Sequence, residues 1–173
     1  MRGLIWNCRG IKKSGVSAFL NNLIFEHKFH FIGLQETQQA DIDDKTLRLI
    51  DPAGSYLWKW IPSKGKSGGI LSGINTDIYD VGSFHEGKYI LQLNIFDRER
   101  KLKWNFLNVY GAPQEENKIE FLTELASFCS KNKDPYLVGG DFNILRFTSE
   151  KKIKVVVYID ILGFSTPSLL LRS

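Results

Sequence analysis

Apolar positions along the chain change their period several times, and the changes mark out elements. Leu4-Ile5-Trp6 is a run without a polar break, followed at once by Asn7-Cys8-Arg9-Gly10. That is the pattern of a short buried strand entering a polar turn. Val16, Phe19, Leu20, Leu23, Ile24 and His27 then recur every three or four residues, one stripe of an amphipathic helix that Ser14 can cap. Phe29 to Leu34 is again a compact apolar run, closed by Gln35-Glu36-Thr37. Strand, helix and strand in so short a stretch predict a βαβ unit, which brings Asn7 and Glu36 to the same end of neighbouring strands. Open α/β sheets bind their ligands at that edge.

Further on, Gln38 to Asp51 is polar and acidic, with weak helical character. Tyr56 to Ile61 and Ile70 to Ile74 read as strands on either side of Pro62-Ser63-Lys64-Gly65-Lys66-Ser67-Gly68-Gly69, a flexible basic loop. Tyr89 to Phe96 and Leu102 to Tyr110 predict a hairpin around Asp97-Arg98-Glu99-Arg100-Lys101. Glu115 to Lys131 is the clearest helix, with Ile119, Leu122, Leu125, Ala126 and Cys129 as its expected core face. Tyr136-Leu137-Val138 is a short buried strand leading into Gly139-Gly140-Asp141-Phe142-Asn143. No internal repeat or linker interrupts this, which predicts one domain over residues 1–148. From Ser149 the text changes: Lys151-Lys152-Ile153-Lys154 is basic and Val155-Val156-Val157 strand-like, so residues 149–173 read as a divergent tail.

Composition narrows the class. The 173 residues suffice for one domain with a real core, and 43% hydrophobic against 24% charged residues argues against a disordered chain. A net charge of +4 suits a polyanionic partner without demanding one. Cys8 and Cys129 form no CxxC or Cys/His pattern and read as reduced thiols of an intracellular protein. The N-terminal residues turn polar too soon for a signal peptide. The longest apolar stretch, Val155 to Phe164, is broken by Asp160 and falls short of the about 20 residues that span a bilayer.

Five polar side chains stand where apolar strands end: Asn7, Glu36, Tyr110, Asp141 and Asn143. Cutting a phosphodiester requires a cation on the phosphate oxygens, a base for the attacking water, and donors that hold the phosphate in line. Glu36 can give a carboxylate oxygen to Mg²⁺, a hard cation suited to oxygen donors. Asp141 can orient a water. Asn7 and Asn143 can donate to phosphate or fix a neighbouring carboxylate, and Tyr110 can donate its hydroxyl. Singly, each has an ordinary explanation as a turn, loop or core residue.

Leu4-Ile5-Trp6-Asn7, Leu34-Gln35-Glu36-Thr37, Asn108-Val109-Tyr110 and Gly139-Gly140-Asp141-Phe142-Asn143 resemble, in order and spacing, four motifs of the endonuclease/exonuclease/phosphatase superfamily, which includes apurinic/apyrimidinic endonucleases. The match runs over about residues 1 to 150. Trp6-Asn7-Cys8-Arg9-Gly10 and Val109-Tyr110-Gly111-Ala112-Pro113 look closest to endonuclease domains of plant LINE-type retroelements. The resemblance implies an α/β (α+β) fold, a four-layer α/β/β/α sandwich with the site at one end between two sheets. It implies Mg²⁺ (or Mn²⁺) held by Glu36 with Asn7 beside it, Tyr110 on the phosphate, and Asp141 and Asn143 orienting water and phosphate. DNA is the implied partner and the nucleus the implied compartment.

The pattern departs from the family in two places. Arg9 stands where many repair-type members carry Asp. The closing Asp and Ser-Asp-His segment has no counterpart, since the three histidines are His27, His30 and His85. The expectation is a C-terminally incomplete sandwich with weak or absent cleavage, or a non-catalytic nucleic-acid-binding remnant of a retroelement protein. In the second case Trp58 and Trp60, interleaved with Lys59, Lys64 and Lys66, would stack on bases. An incomplete sandwich would expose the inner face of its first sheet, with Val155 to Leu162 offering one strand to cover it.

Overall fold

The run Leu4-Ile5-Trp6 lies inside strand β1 (Arg2–Asn7), helix α1 covers Val16–His27, and strand β2 covers Phe31–Gln35. The computed structural model describes residues 1–65, 67–144 and 156–160. β1 and β2 pair in parallel with Asn7 opposite Gln35, so the βαβ unit forms as the sequence predicts. Every residue of β2 is buried, which explains its unbroken apolar run, since a strand covered on both faces has no polar side to alternate with. α1 is not capped by Ser14. Its N-cap is Gly15, in the left-handed region at φ 80°, with no side-chain cap.

Helix α2 (Asp44–Ile50) follows, with Asp43 as its N-cap accepting from the Thr46 N–H. Strands β3 (Tyr56–Ile61) and β4 (Ile70–Asn75) complete the first sheet on that side. Strands β5 (Tyr79–Glu86), β6 (Ile90–Asp97) and β7 (Leu102–Tyr110), helix α3 (Lys118–Lys131) and strand β8 (Tyr136–Asp141) build a second sheet, and β9 covers Val156–Asp160. The five-stranded sheet runs β3-β4-β2-β1-β9 and the four-stranded one β5-β6-β7-β8.

Three cores separate four layers. α1 and α2 pack on the outer face of the first sheet through Leu20, Leu23 and Ile50 against Leu4, Ile32, Leu34 and Leu71. Between the sheets lie Ile5, Phe31, Ile74, Tyr79, Leu93, Trp104 and Phe106. The rings of Phe31 and Phe106 stand 5.0 Å apart there. α3 covers the second sheet through Phe121 against Ile90, Leu107, Val109 and Val138. The α/β/β/α order is therefore the expected one, but the exposed inner face is not. Residues 79–141 supply a second sheet that buries it. The strand-like run after Val155 becomes β9, which pairs antiparallel with β1 at the sheet edge, Gly3 opposite Ile159, instead of lying across the face. The expected boundary at 148/149 lies outside the described residues.

One strand was not anticipated, and one further expectation changes. The edge strand β5 shows no alternation, because its register breaks between Val81 and Phe84 and most of it faces solvent. A bulge shifts the parity of side chains and erases the period-2 signal. The core face of α3 is Phe121, Leu125 and Phe128, while Ile119 and Leu122 are 78% and 46% exposed. Both stripes have helical spacing. The rotation is decided by the larger Phe rings and by Glu120 and Glu124. Glu120 accepts from Lys88 Nζ and the Tyr89 hydroxyl, and Glu124 accepts from the backbone N–H groups of Lys88 and Tyr89. No helix among the described residues is long and apolar enough to cross a membrane.

Candidate active site

Four strands end together. β1 and β2 are parallel partners in the first sheet, β7 and β8 parallel partners in the second, with Tyr110 opposite Asp141. Each pair is joined by a helical crossover, so the C-terminal ends of all four meet where one sheet lies over the other. Asn7 Nδ2 donates to Asp141 Oδ2 at 2.7 Å. The Tyr110 hydroxyl donates to Glu36 Oε1 at 3.1 Å. Both bonds cross from one sheet to the other. Asn143 donates its backbone N–H to Asp141 Oδ1 at 3.0 Å and its Nδ2 to the Gly111 carbonyl at 2.8 Å. All five side chains singled out in the sequence are thereby brought into one cluster.

The backbone there is held in unusual conformations. Among the described residues, Arg9, Glu36, Gln38 and Asn143 are four non-glycine residues at positive φ, between 50 and 56°. Such residues cost free energy and persist where their surroundings enforce them, commonly at functional sites. The enforcement is visible: Gly10 N–H donates to the Glu36 carbonyl, and Ile11 N–H to that of Thr37. Gly140 has φ 153°, and a Cβ there would lie 1.9 Å from the Val109 carbonyl oxygen. Only glycine lets β8 run this close beside β7 and aim Asp141 into the cluster. The basic Gly-rich loop is drawn alongside by Thr37 and Gln38, whose N–H groups donate to the Gly69 and Gly68 carbonyls.

Burial first, then the negative charge of Glu36, raises the Tyr110 phenol above its ordinary range. It remains a proton donor at all physiological pH. Burial likewise pushes the Cys8 thiol up to about 11, and its S–H donates to the Gln35 carbonyl at 3.3 Å. A thiol so placed is a packed donor, not a nucleophile.

The donor set fits a hard divalent cation. Asn7 Oδ1 is buried and, among the described residues, meets no hydrogen-bond partner, next to the strand end that carries Glu36. An orphaned oxygen in such a place is costly unless something polar meets it. No group of three or more His, Cys, Asp or Glu side chains gathers among the described residues. Mg²⁺ does not require one, since it is commonly held by one or two carboxylates and keeps several waters.

The remaining candidates fall elsewhere. Arg9 is exposed. Trp58 and Trp60 pack against the core beneath α1 and α2, and Trp58 Nε1 donates to Asp51 at 3.4 Å, so they form no stacking platform. His30 accepts from the Arg2 N–H at the far end of β1, and His85 packs on Phe128. Sequence reasoning missed Gln35, Ser72 and Asn108, which are buried between the sheets directly behind Glu36 and Tyr110. Gln35 and Asn108 stand inside two of the motifs that carry the resemblance, but the signal for a role of their own was polarity inside strands that otherwise read as core.

Residues 4–152 match the Endonuclease/Exonuclease/phosphatase family. No curated protein matches the chain in sequence. Among solved structures, a humanized D. rerio TDP2 superposes with a TM-score of 0.64 at 12% identity, covering 84% of this chain and 67% of that one. The catalytic domain of Xenopus laevis APE2 gives 0.61 at 16% identity, over 83% of this chain and 59% of the other. The AP endonuclease LMAP from Leishmania major gives 0.59 at 15%, over 90% and 59%. The chain thus spans about two thirds or less of these structures, and at such identities the likeness is one of fold.

Proposed function

This chain belongs to the Endonuclease/Exonuclease/phosphatase family, and on that premise we propose that it is a phosphodiester hydrolase of the endonuclease kind, acting on DNA with Mg²⁺ or Mn²⁺. The observation that carries the reading is the pair of cross-sheet bonds, Asn7 to Asp141 and Tyr110 to Glu36. They gather two carboxylates, a protonated phenol and an orphaned amide oxygen at one strand edge.

Glu36 and Asn7 Oδ1 would hold the cation, which when bound supplies positive charge to the phosphate and leaving oxygen. Asp141, held by Asn7 on one oxygen and by the Asn143 N–H on the other, orients the attacking water and takes up its proton. Tyr110 donates to a phosphate oxygen in place of Glu36. Asn143 acts chiefly through Asp141, because its own Nδ2 is engaged by Gly111. We expect slow cutting by this chain alone, since no histidine stands in the cluster and loss of one transition-state donor typically costs about 10²–10³ in rate.

With supercoiled plasmid and Mg²⁺, the expected outcome is slow, cation-dependent nicking that disappears in both Glu36→Ala and Asp141→Ala. Nicking that survives in both variants would refute the assignment. DNA bound without any nicking, and released as salt rises, would instead favour the non-catalytic nucleic-acid-binding remnant. That reading is the weaker one because Trp58 and Trp60 are packed inward. Assignment to the LINE-type retroelement branch rests on the wording around Asn7 and Tyr110.

A further inference from the structure

One polar side chain of the second sheet plugs into the first. Asn108, on β7, is fully buried in a gap otherwise filled by Ile5, Phe31, Trp104 and Phe106. Among the described residues, every hydrogen-bond partner of its side chain lies on the opposing sheet. Its Oδ1 accepts from Gln35 Nε2 at 2.6 Å. Its Nδ2 donates to the Leu71 carbonyl at 3.1 Å and to Ser72 Oγ at 2.9 Å. Space for it comes from Gly33, where a Cβ would lie 3.1 Å from Asn108 Cγ. Three polar groups and a glycine of one sheet thus form a socket for one residue of the other.

An amide buried in an apolar gap is strongly disfavoured unless its hydrogen bonds are made. Apolar side chains can slide over one another at little cost, whereas this socket accepts Asn108 at one offset only. Gln35 immediately precedes Glu36, and Asn108 lies two residues before Tyr110. The socket therefore sits one step behind the Tyr110–Glu36 bond. Resting on the hydrolase reading above, we propose that Asn108, with Gln35 and Ser72, is the positioning residue that fixes the offset of the two sheets. It thereby sets the spacing between the cation-holding pair Asn7 and Glu36 and the water-orienting Asp141.

The test uses the full chain and three substitutions: Asn108→Leu, the milder Ser72→Ala, which should fold even where the first does not, and Ile95→Ala as a control in the same inter-sheet core. Three quantities are read. Mn²⁺ binding is followed by electron paramagnetic resonance, plasmid nicking is resolved into kcat and KM, and exchange of the Asn7 side-chain amide protons with water is measured by NMR in cation-free protein. Asn108→Leu is expected to weaken Mn²⁺ binding about 10- to 100-fold, to lower kcat with little change in KM, and to speed Asn7 exchange. Ser72→Ala should shift each in the same direction by less. Ile95→Ala should lower the melting temperature and leave all three near wild type. If the Asn108 and Ser72 variants only lose melting temperature, as the control does, the proposal is overturned. Should the wild-type chain neither bind Mn²⁺ nor cut DNA, the hydrolase reading falls, and Asn7 exchange alone still decides whether Asn108 positions the cluster.

Discussion

Gly140 shows how much can depend on a missing side chain. Its Cβ would meet the Val109 carbonyl oxygen at 1.9 Å, and its φ of 153° disfavours any other residue. Gly140→Ala must push β8 away from β7 or distort the turn into Asp141. We expect it to lower stability by about 1–3 kcal/mol from backbone strain alone, and more from the clash, read as a fall in the urea midpoint. It should also loosen the Asn7–Asp141 bond. A midpoint unchanged within error would show that the strand can relax around a methyl group. The residues of the cluster were legible in the sequence because each is polar directly after an apolar run. The socket behind them was not. Asn108 sits between Leu107 and Val109, and a lone amide in a strand carries no signal for the sheet it will reach.

At the level of elements, the chain's own rules place most of the strands and the helices α1 and α3, with only a weak helical trace over the residues of α2, and the exceptions have causes. β5 escaped because a bulge broke its parity. α3 was rotated wrongly because two stripes compete at helical spacing, and the choice between them lies in tertiary contacts. The rotation is checkable. Phe121 is fully buried, so Phe121→Ala should cost about 3–5 kcal/mol. Ile119, 78% exposed, should tolerate Ile119→Lys within about 0.5 kcal/mol. Chemical denaturation of the two variants distinguishes the faces, and the reverse order of sensitivity would restore the stripe read from sequence.

Taken as a whole, the molecule buries several neutral acids. Cys8 is pushed up to about 11 and Tyr79 to about 12, in each case mainly by burial, and Tyr56 and Tyr110 are raised as well. Their unfolded counterparts release protons earlier, from a thiol value of 9.0 and a phenol value of 10.0. Between those limits the folded state holds more protons, so stability is intact below pH 9 and drains away as pH rises through 9 to 12. The thiol's share is at most about 3 kcal/mol. Urea midpoints should fall over this range, and Cys8→Ala should flatten the limb between pH 9 and 11. A midpoint independent of pH up to 11 would mean that Cys8 is solvated in the folded protein.

The cluster is also divided along the chain. Asn7 and Glu36 come from the segment that makes four strands of the first sheet, and Tyr110, Asp141 and Asn143 from the later segment that makes the second, which also returns β9 to the edge of the first, with the turn around Asp77 between β4 and β5 as the seam. A polypeptide nicked at that seam would leave each fragment holding one side of every bridge. Neither piece alone could retain a ligand, and ligand retention would report reassembly of the halves, as in a split reporter.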